Sequence, residues 1–350
     1  MKLNLIKRGS LLMVGCMLGT TLSNAQDLGD MTAFLQAGSE DASTYMGNYL
    51  SPVFKGFGYG TANGWYNTAK AHKPLGFDLT FTLNTSFVPD KDLFFDIVET
   101  DYNNVTLVDP NNPTTSTLFG DETTTTISSS YDHPDGTVSA EFQTAAGLGL
   151  NDSYNGMVPA PMIQLGIGLI KNTDLKVRWM PTLKGQDDYG NESRVSMFGF
   201  GLMHDFKQWI PAIKHIPVDM AVMVGYNRIN SSAGLWTNGD VMTVSEDAEG
   251  SFAINSWTYQ LLVSKKLSVL TVYGGLGYND VRTNLNLTGD YTIDEGQGIV
   301  LTDPIDEKFD SKGMRGTLGL RLKLAVITIH TDYTFQEYNT LTAGIGVSIR

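Results

Sequence analysis

From Met314 to its end the chain alternates in hydrophobicity nearly without error. Met314, Leu318, Leu320, Leu322 and Leu324 share one face of a strand, while Arg315, Thr317, Arg321 and Lys323 share the other. The pattern repeats with Ile327, Ile329, Tyr333 and Phe335 against Thr328, His330, Asp332 and Gln336. It then repeats with Leu341, Ala343, Ile345, Val347 and Ile349 against Thr342, Gly344, Gly346, Ser348 and Arg350. Successive side chains on a strand point to opposite faces, so three adjacent strands of about ten residues are apolar on one side and charged on the other. A soluble β-sandwich also alternates, but its strands usually run about five or six residues. Lipid offers no hydrogen bonds to an open strand edge, so a sheet that crosses a bilayer must close, with tilted strands of roughly nine to eleven residues. The pattern therefore predicts the wall of a transmembrane β-barrel.

The other end of the chain fits export. Lys2, Lys7 and Arg8 precede an apolar run from Leu11 to Leu22, followed by Ser23, Asn24 and Ala25. This is the order of a secretory signal peptide over residues 1–25, cut after Ala25. The run is too short for a helical membrane span. Met13, Val14 and Gly15 before Cys16 loosely resemble a lipoprotein signal, yet the apolar stretch continues past the cysteine. Losing three cations and no anions takes the formal charge from -13 to -16, which argues against nucleic acid as a partner. Cys16 is the single cysteine, so disulfides and thiolate metal sites have no place in the mature chain. An exported chain rich in long amphipathic strands is expected in the outer membrane of a Gram-negative cell, with lipid as its first partner.

Between Asp27 and Leu50, the residues Met31, Phe34, Leu35, Tyr45, Met46 and Tyr49 fall nearer the helical than the strand period. A glycine- and aromatic-rich stretch, FKGFGYGTANGWYNTAKAHKP from Phe54 to Pro74, follows without sustained period. Together these predict a partly helical segment over 26–74 that plugs the barrel; a periplasmic extension is the alternative, and 54–67 reads equally as an added strand pair. Barrel strands are expected at 76–88, 123–131, 137–148, 162–170, 174–183, 194–204, 218–228, 252–263, 268–282, 313–323, 327–336 and 341–350. That is an all-β, antiparallel barrel of about twelve strands, twelve to fourteen at the outside, over 75–350. Tight connections at 171–173, 264–267 and 324–326 alternate with long ones at 89–122, 230–251 and 283–312. Acidic residues such as Asp303, Asp306, Glu307 and Asp310 suit solvated outward loops and match no calcium-loop spacing. One connection breaks the rule. DFKQWIPAIKHIP carries Phe206, Trp209, Ile210 and Ile213 at helical spacing beside Lys207 and Lys214, as a membrane-interface turn or a cap beneath the barrel would.

Catalytic and cofactor motifs are absent: no nucleophile elbow, no zinc-protease helix, no phosphate-binding or dinucleotide loop. No catalytic residue, metal site or cofactor is expected. His330 with Asp332 on the same strand face is the one arrangement a hydrolase could use, and it lacks an indicated nucleophile. Arg315, Arg321, Lys323, His330 and Asp332 are instead expected as polar lumen residues joined in an ion-pair network. The middle strands are apolar on both faces: Phe198, Phe200 and Leu202 oppose Met197, Gly199, Gly201 and Met203, while Val222, Val224 and Tyr226 oppose Ala221, Met223 and Gly225. Open porins keep polar linings, so Met197, Met203 and Met223 are expected to line an apolar lumen that packs a plug or a small hydrophobic ligand.

The segments FKGFGYGTANGWYNTAKAHKPLGFDLT, GLMHDFKQWIPAIKHIP and EYNTLTAGIGVSIR resemble an uncharacterised family of Bacteroidota outer-membrane proteins across essentially the whole mature chain. The resemblance implies an outer-membrane barrel and supplies no activity. More distantly, a plug ahead of a partly apolar barrel is similar to the long-chain fatty-acid transporter family. That family's fourteen strands and Asn-Pro-Ala element are not matched, since here only Leu50, Ser51 and Pro52 stand near the plug. The expectation is a monomeric barrel that admits or binds a small hydrophobic molecule. A surface-interaction barrel acting through its outward loops, and remotely an outer-membrane hydrolase, are the competing readings.

Overall fold

A computed structural model describes residue 35 and residues 38–133, 136–186, 190–211, 216–235, 237–238, 243–294 and 299–349; the expected signal peptide lies outside the described residues. Ten strands form a closed barrel: β1 (Phe77–Phe87), β2 (Met157–Gly168), β3 (Thr173–Gln186), β4 (Glu192–Asp205), β5 (Asp219–Gly234), β6 (Glu249–Leu267), β7 (Leu270–Thr288), β8 (Ile305–Leu324), β9 (Ile327–Phe335) and β10 (Thr340–Ile349). Each pairs antiparallel with its chain neighbours, and β10 closes the ring on β1 from Phe77 opposite Ile349 to Ser86 opposite Thr340. Closure gives every barrel strand a neighbour on both sides.

The faces are the reverse of a soluble barrel's. On β1 the large residues Phe77, Leu79, Phe81 and Leu83 are exposed, and Asp78, Thr80, Thr82, Asn84 and Ser86 are buried. The C-terminal strands do the same: Met314, Leu318 and Phe335 stand 72%, 66% and 57% exposed, while Arg315, Arg321, His330 and Asp332 are buried. Such a surface fits hydrocarbon outside and a polar, filled interior.

Ten strands, rather than the expected twelve to fourteen, follow from one misplaced hairpin. Thr126–His133 pairs with Gly136–Gln143 on one side and with Val105–Leu107 on the other, in a separate three-stranded sheet within the connection 88–156. Two expected loops also shrink, because β6, β7 and β8 run to 19 or 20 residues. Asp306, Glu307 and Asp310 therefore sit on β8 rather than in a loop. What remains above β5–β8 carries a small four-stranded sheet, Thr237–Asn238, Thr243–Val244, Asp290–Asp294 and Ile299–Thr302. At the other end, β6 to β7 and β8 to β9 turn within two residues each, Ser268 with Val269 and Ala325 with Val326. In the irregular connection after β4, Lys207–Trp209 forms a single 3₁₀ turn, with Trp209 and Ile210 exposed rather than packed beneath the barrel. Ile213 and Lys214 lie outside the described residues.

One helix, α1 (Ser39–Thr61), packs against the inward faces of β1, β2, β6, β7 and β8. It runs on through Pro52 into the glycine-rich stretch, so the expected break near Leu50 is absent. Gly56, Gly58 and Gly60 are poor helix formers, which makes the surrounding wall, rather than local propensity, the reason this turn is helical. After Thr61 the chain continues without strand to Pro74, so the added strand pair over 54–67 does not form.

Candidate functional site

The interior is organised by where α1 ends. The last turn of a helix leaves carbonyls without intrahelical donors, and they carry the negative end of the dipole. Here wall side chains supply the donors. Arg178 Nη1 and Asn227 Nδ2 donate to the Thr61 carbonyl at 3.0 and 2.8 Å, and Arg315 Nη1 donates to Ala62 O at 2.8 Å. Asn84 Nδ2 donates to Gly60 O and Asn63 O at 2.9 and 3.1 Å, and Arg315 Nη2 donates to Asn63 Oδ1. Two fully buried guanidiniums thus sit where a helix end can compensate their charge. Arg315 was among the residues the sequence singled out; Arg178, Asn84 and Asn227 were not. Arg178 had the same signal, since Asp174, Lys176 and Arg178 alternate with Leu175, Val177 and Trp179.

Below the helix, Trp65 is clamped between the Arg178 guanidinium, 3.5 Å from its ring centroid, and the side-chain-free positions Gly201 and Gly225. A Cβ at those glycines would come within 2.9 and 2.5 Å of the indole. Met203 and Met223 complete this apolar tier with Tyr66, Leu262 and Tyr273, whereas Met197 belongs to the upper tier around α1. All three methionines are buried, against the internal segment.

The pairing of His330 with Asp332 that a hydrolase would need does not form. Asp332 accepts from the Tyr273 hydroxyl at 2.8 Å, and Tyr66 meets the Tyr273 ring edge-on. Both ring nitrogens of His330 are buried with no hydrogen-bond partner among the described residues, as is Asp332 Oδ1. Lys323 Nζ donates to Ser348 O at 2.8 Å. A histidine that attracted no attention in the sequence is better held: His72 Nδ1 lies 2.9 Å from Asp174 Oδ2, with Asp78 Oδ1 3.5 Å and Ser348 Oγ 3.4 Å from Nε2. Serine, histidine and carboxylate stand in the order of a catalytic relay. Asp78, however, shares the ring nitrogen a nucleophile would need, and Ser348 is 1% exposed. The group ties the end of the internal segment to β1, β3 and β10.

The wall itself is uneven. β1 and β2 pair from Phe77 opposite Ile167 to Phe87 opposite Met157, and β3 pairs with β4 as far as Gln186. Between β2 and β3 the ladder covers only Ile163 to Gly168 against Asp174 to Trp179. Pro159 and Pro161 lie on β2 beyond that point, and proline has no N–H to give. The β1 register runs unbroken past both, which leaves the β3 side as the edge that lacks donors. β3 is irregular at the same level, its register to β4 shifting between Met180 and Leu183. Val158, Ala160 and Met162 face inward there, and half-buried Met180 and Leu183 pack on the same apolar cluster as Val195 and Met197.

Similarity to solved structures is of fold class. The translocator domain of the autotransporter NalP from Neisseria meningitidis aligns at 11% identity and TM-score 0.32, covering 91% of this chain and 99% of that one. Ail, the attachment invasion locus protein of Yersinia pestis, aligns at 9% identity and TM-score 0.26, over 78% and 97% of the two chains. A deletion mutant of the monoaromatic hydrocarbon channel TodX aligns at 11% identity and TM-score 0.28, over 80% and 68%. No curated protein matches the sequence. One family does, over residues 1–349, and by that match the chain belongs to the family of unknown function DUF6588.

Proposed function

We propose that this protein is a monomeric outer-membrane barrel in which residues 26–74 plug the lumen, and that it admits a small hydrophobic molecule through the side of its wall. The observation that carries this reading is the interrupted ladder between β2 and β3 beside Pro159 and Pro161. Apolar solutes partition into the bilayer, so a route from lipid to an apolar interior spares them a water-filled pore. Val158, Ala160, Met162, Met180 and Met197 would receive such a molecule beside α1. Neither cofactor nor covalent chemistry enters this function.

The test is uptake of a fluorescent apolar amine, N-phenylnaphthylamine, by proteoliposomes. Replacing Pro159 and Pro161 together by valine restores two N–H donors to the β2 edge and should slow uptake several-fold while ionic conductance stays low. Equal uptake by the variant and the parent protein would remove the lateral route. A second reading, binding by the outward loops, is favoured by the three small sheets in those connections. Deleting 236–247 would abolish function under that reading and leave uptake unchanged under the first.

A further inference from the structure

The tall side of the wall changes character partway up its outward face. From the short turn, the outward residues of β8 run Leu324, Leu322, Leu320, Leu318, Gly316 and Met314, and then Lys312, Asp310 and Lys308. The span from Leu324 to Met314, at roughly 3.3 Å per residue and a tilt of about 40°, rises about 25 Å, the height of the apolar band on an outer-membrane barrel. Tyr259, Tyr278 and Met314 lie side by side at that level, with Tyr226 and Trp257 one step higher. Tyrosine and tryptophan collect where hydrocarbon meets headgroups, which places the same boundary here. β9, β10 and β1, by contrast, carry no charged residue on their outward faces.

Above the aromatic rings comes a row in which Arg228, Asn255, Arg282 and Asp310 stand directly opposite one another across β5, β6, β7 and β8. Neighbouring strands are about 4.8 Å apart, so the two arginines leave the wall about 10 Å from each other, with Asn255 between them. Side chains as long as arginine can close that distance onto one anion. Tyr226 Oη donates to Asn255 Oδ1 at 2.7 Å, which leaves the Asn255 amide to donate through its nitrogen. The carboxylates nearby are already engaged, Asp280 by Arg282 at 3.2 Å and Asp310 by Lys312 at 2.8 Å. Arg228 donates to Asn230 Oδ1 at 2.9 Å and has no carboxylate in ion-pair contact among the described residues. With Lys308 one row higher, four cations face two carboxylates, and counting Asp306 beyond it still leaves a cation in excess. That excess stands out on a chain of formal charge -13.

We infer that Arg228, Asn255 and Arg282, with Lys308 and Lys312 beside them, bind the phosphate of an outer-leaflet lipid headgroup. Guanidiniums pair with phosphate through two parallel hydrogen bonds, and the site lies at the height where headgroups begin. The inference rests on the outer-membrane placement read above, with the long connections outward, and on neither the plug nor the lateral route.

The full chain in dodecyl maltoside is offered diphosphoryl lipid A or the same lipid stripped of its phosphates, and retained lipid is read by native mass spectrometry. The diphosphoryl form should be retained about tenfold more, the return on roughly one charge-assisted contact. Arg228→Gln with Arg282→Gln should abolish that preference, and Arg228→Lys with Arg282→Lys should keep part of it. Lys265→Gln with Lys266→Gln, exposed at the short-turn end, should leave it intact. Equal retention of the two lipids, or an unchanged preference in the glutamine pair at 228 and 282, overturns the site. Loss of the preference in the 265 and 266 pair moves the phosphate to the other end and overturns it too. Excess inorganic phosphate should not displace the lipid; displacement assigns the row to a free anion. Cys16 is the only cysteine and lies in the expected signal peptide, so Glu246→Cys and Lys171→Cys, both exposed, report orientation in intact cells treated with a membrane-impermeant maleimide. Glu246→Cys should label and Lys171→Cys should not. The reverse overturns the outer-leaflet placement even where the phosphate preference holds.

Discussion

Arg315 is the residue on which the interior turns, because its guanidinium supplies a backbone carbonyl that the helix can no longer satisfy. Arg315→Leu keeps the bulk and removes the donors, leaving Ala62 O orphaned at a cost of about 1–3 kcal/mol. A lower melting temperature in detergent, followed by tryptophan fluorescence, is the expected outcome. Gly58 makes the complementary case. Gly58→Val forces a side chain against Val281 and should destabilise by about 1–3 kcal/mol. Adding Val281→Ala should recover much of that loss if contact is the cause. Arg315, Arg321, Lys323, His330 and Asp332 could be read as inward from alternation alone, and all lie on the inward face. Their partners could not, because a backbone carbonyl in an aperiodic segment has no signature in sequence. Side chains two apart on a strand can meet, as Lys312 and Asp310 do at 2.8 Å. Asp332 instead accepts from the Tyr273 hydroxyl of a neighbouring strand at 2.8 Å.

At the level of elements, α1 is fastened to the outer rim by Lys55, which bridges Glu337 at 3.1 Å and Asp92 at 3.5 Å, while Tyr59 donates to Glu337 at 2.9 Å. Burial alone would raise the Glu337 carboxyl. The Lys55 ammonium, with help from Tyr59 and Lys91, outweighs it and holds the group below its ordinary value of 4.5. A depressed carboxyl contributes stability that is present above the unfolded value and lost as pH falls through the folded one. The rim contact should therefore be intact at neutral pH and loosen only as pH falls below the ordinary carboxylate range. Planar-bilayer recordings should show conductance events appearing in that acid range, and Lys55→Met should make them appear at neutral pH. The strand count shows what periodicity cannot decide. Thr126–His133 and Gly136–Gln143 alternate like the barrel strands, yet alternation marks a half-buried sheet without saying which sheet. The outer reaches of β6, β7 and β8 escaped notice for the opposite reason. Once a strand rises out of hydrocarbon, water bathes its outer face, and IDEKFDSK at the start of β8 no longer alternates as a lipid-facing strand does.

For the whole molecule, an apolar exterior around a hydrogen-bonded interior predicts electrical silence. The intact protein in a planar bilayer at neutral pH should carry no large steady ionic current, and an open, porin-sized conductance would contradict the filled lumen. Removing 35–61 should produce a current, because β1 to β10 close without the helix. The closed antiparallel barrel with its polar inward face could be read from sequence. The direction in which α1 runs could not, since helical periodicity is the same read either way. Closure adds a temporal constraint. The last hydrogen bonds of the ring join β1 to the final strand, β10, while α1 touches the walls too tightly to be threaded afterwards. The helix must therefore be seated before the ring closes, with the C-terminal strand as the clasp fastened once it is in place.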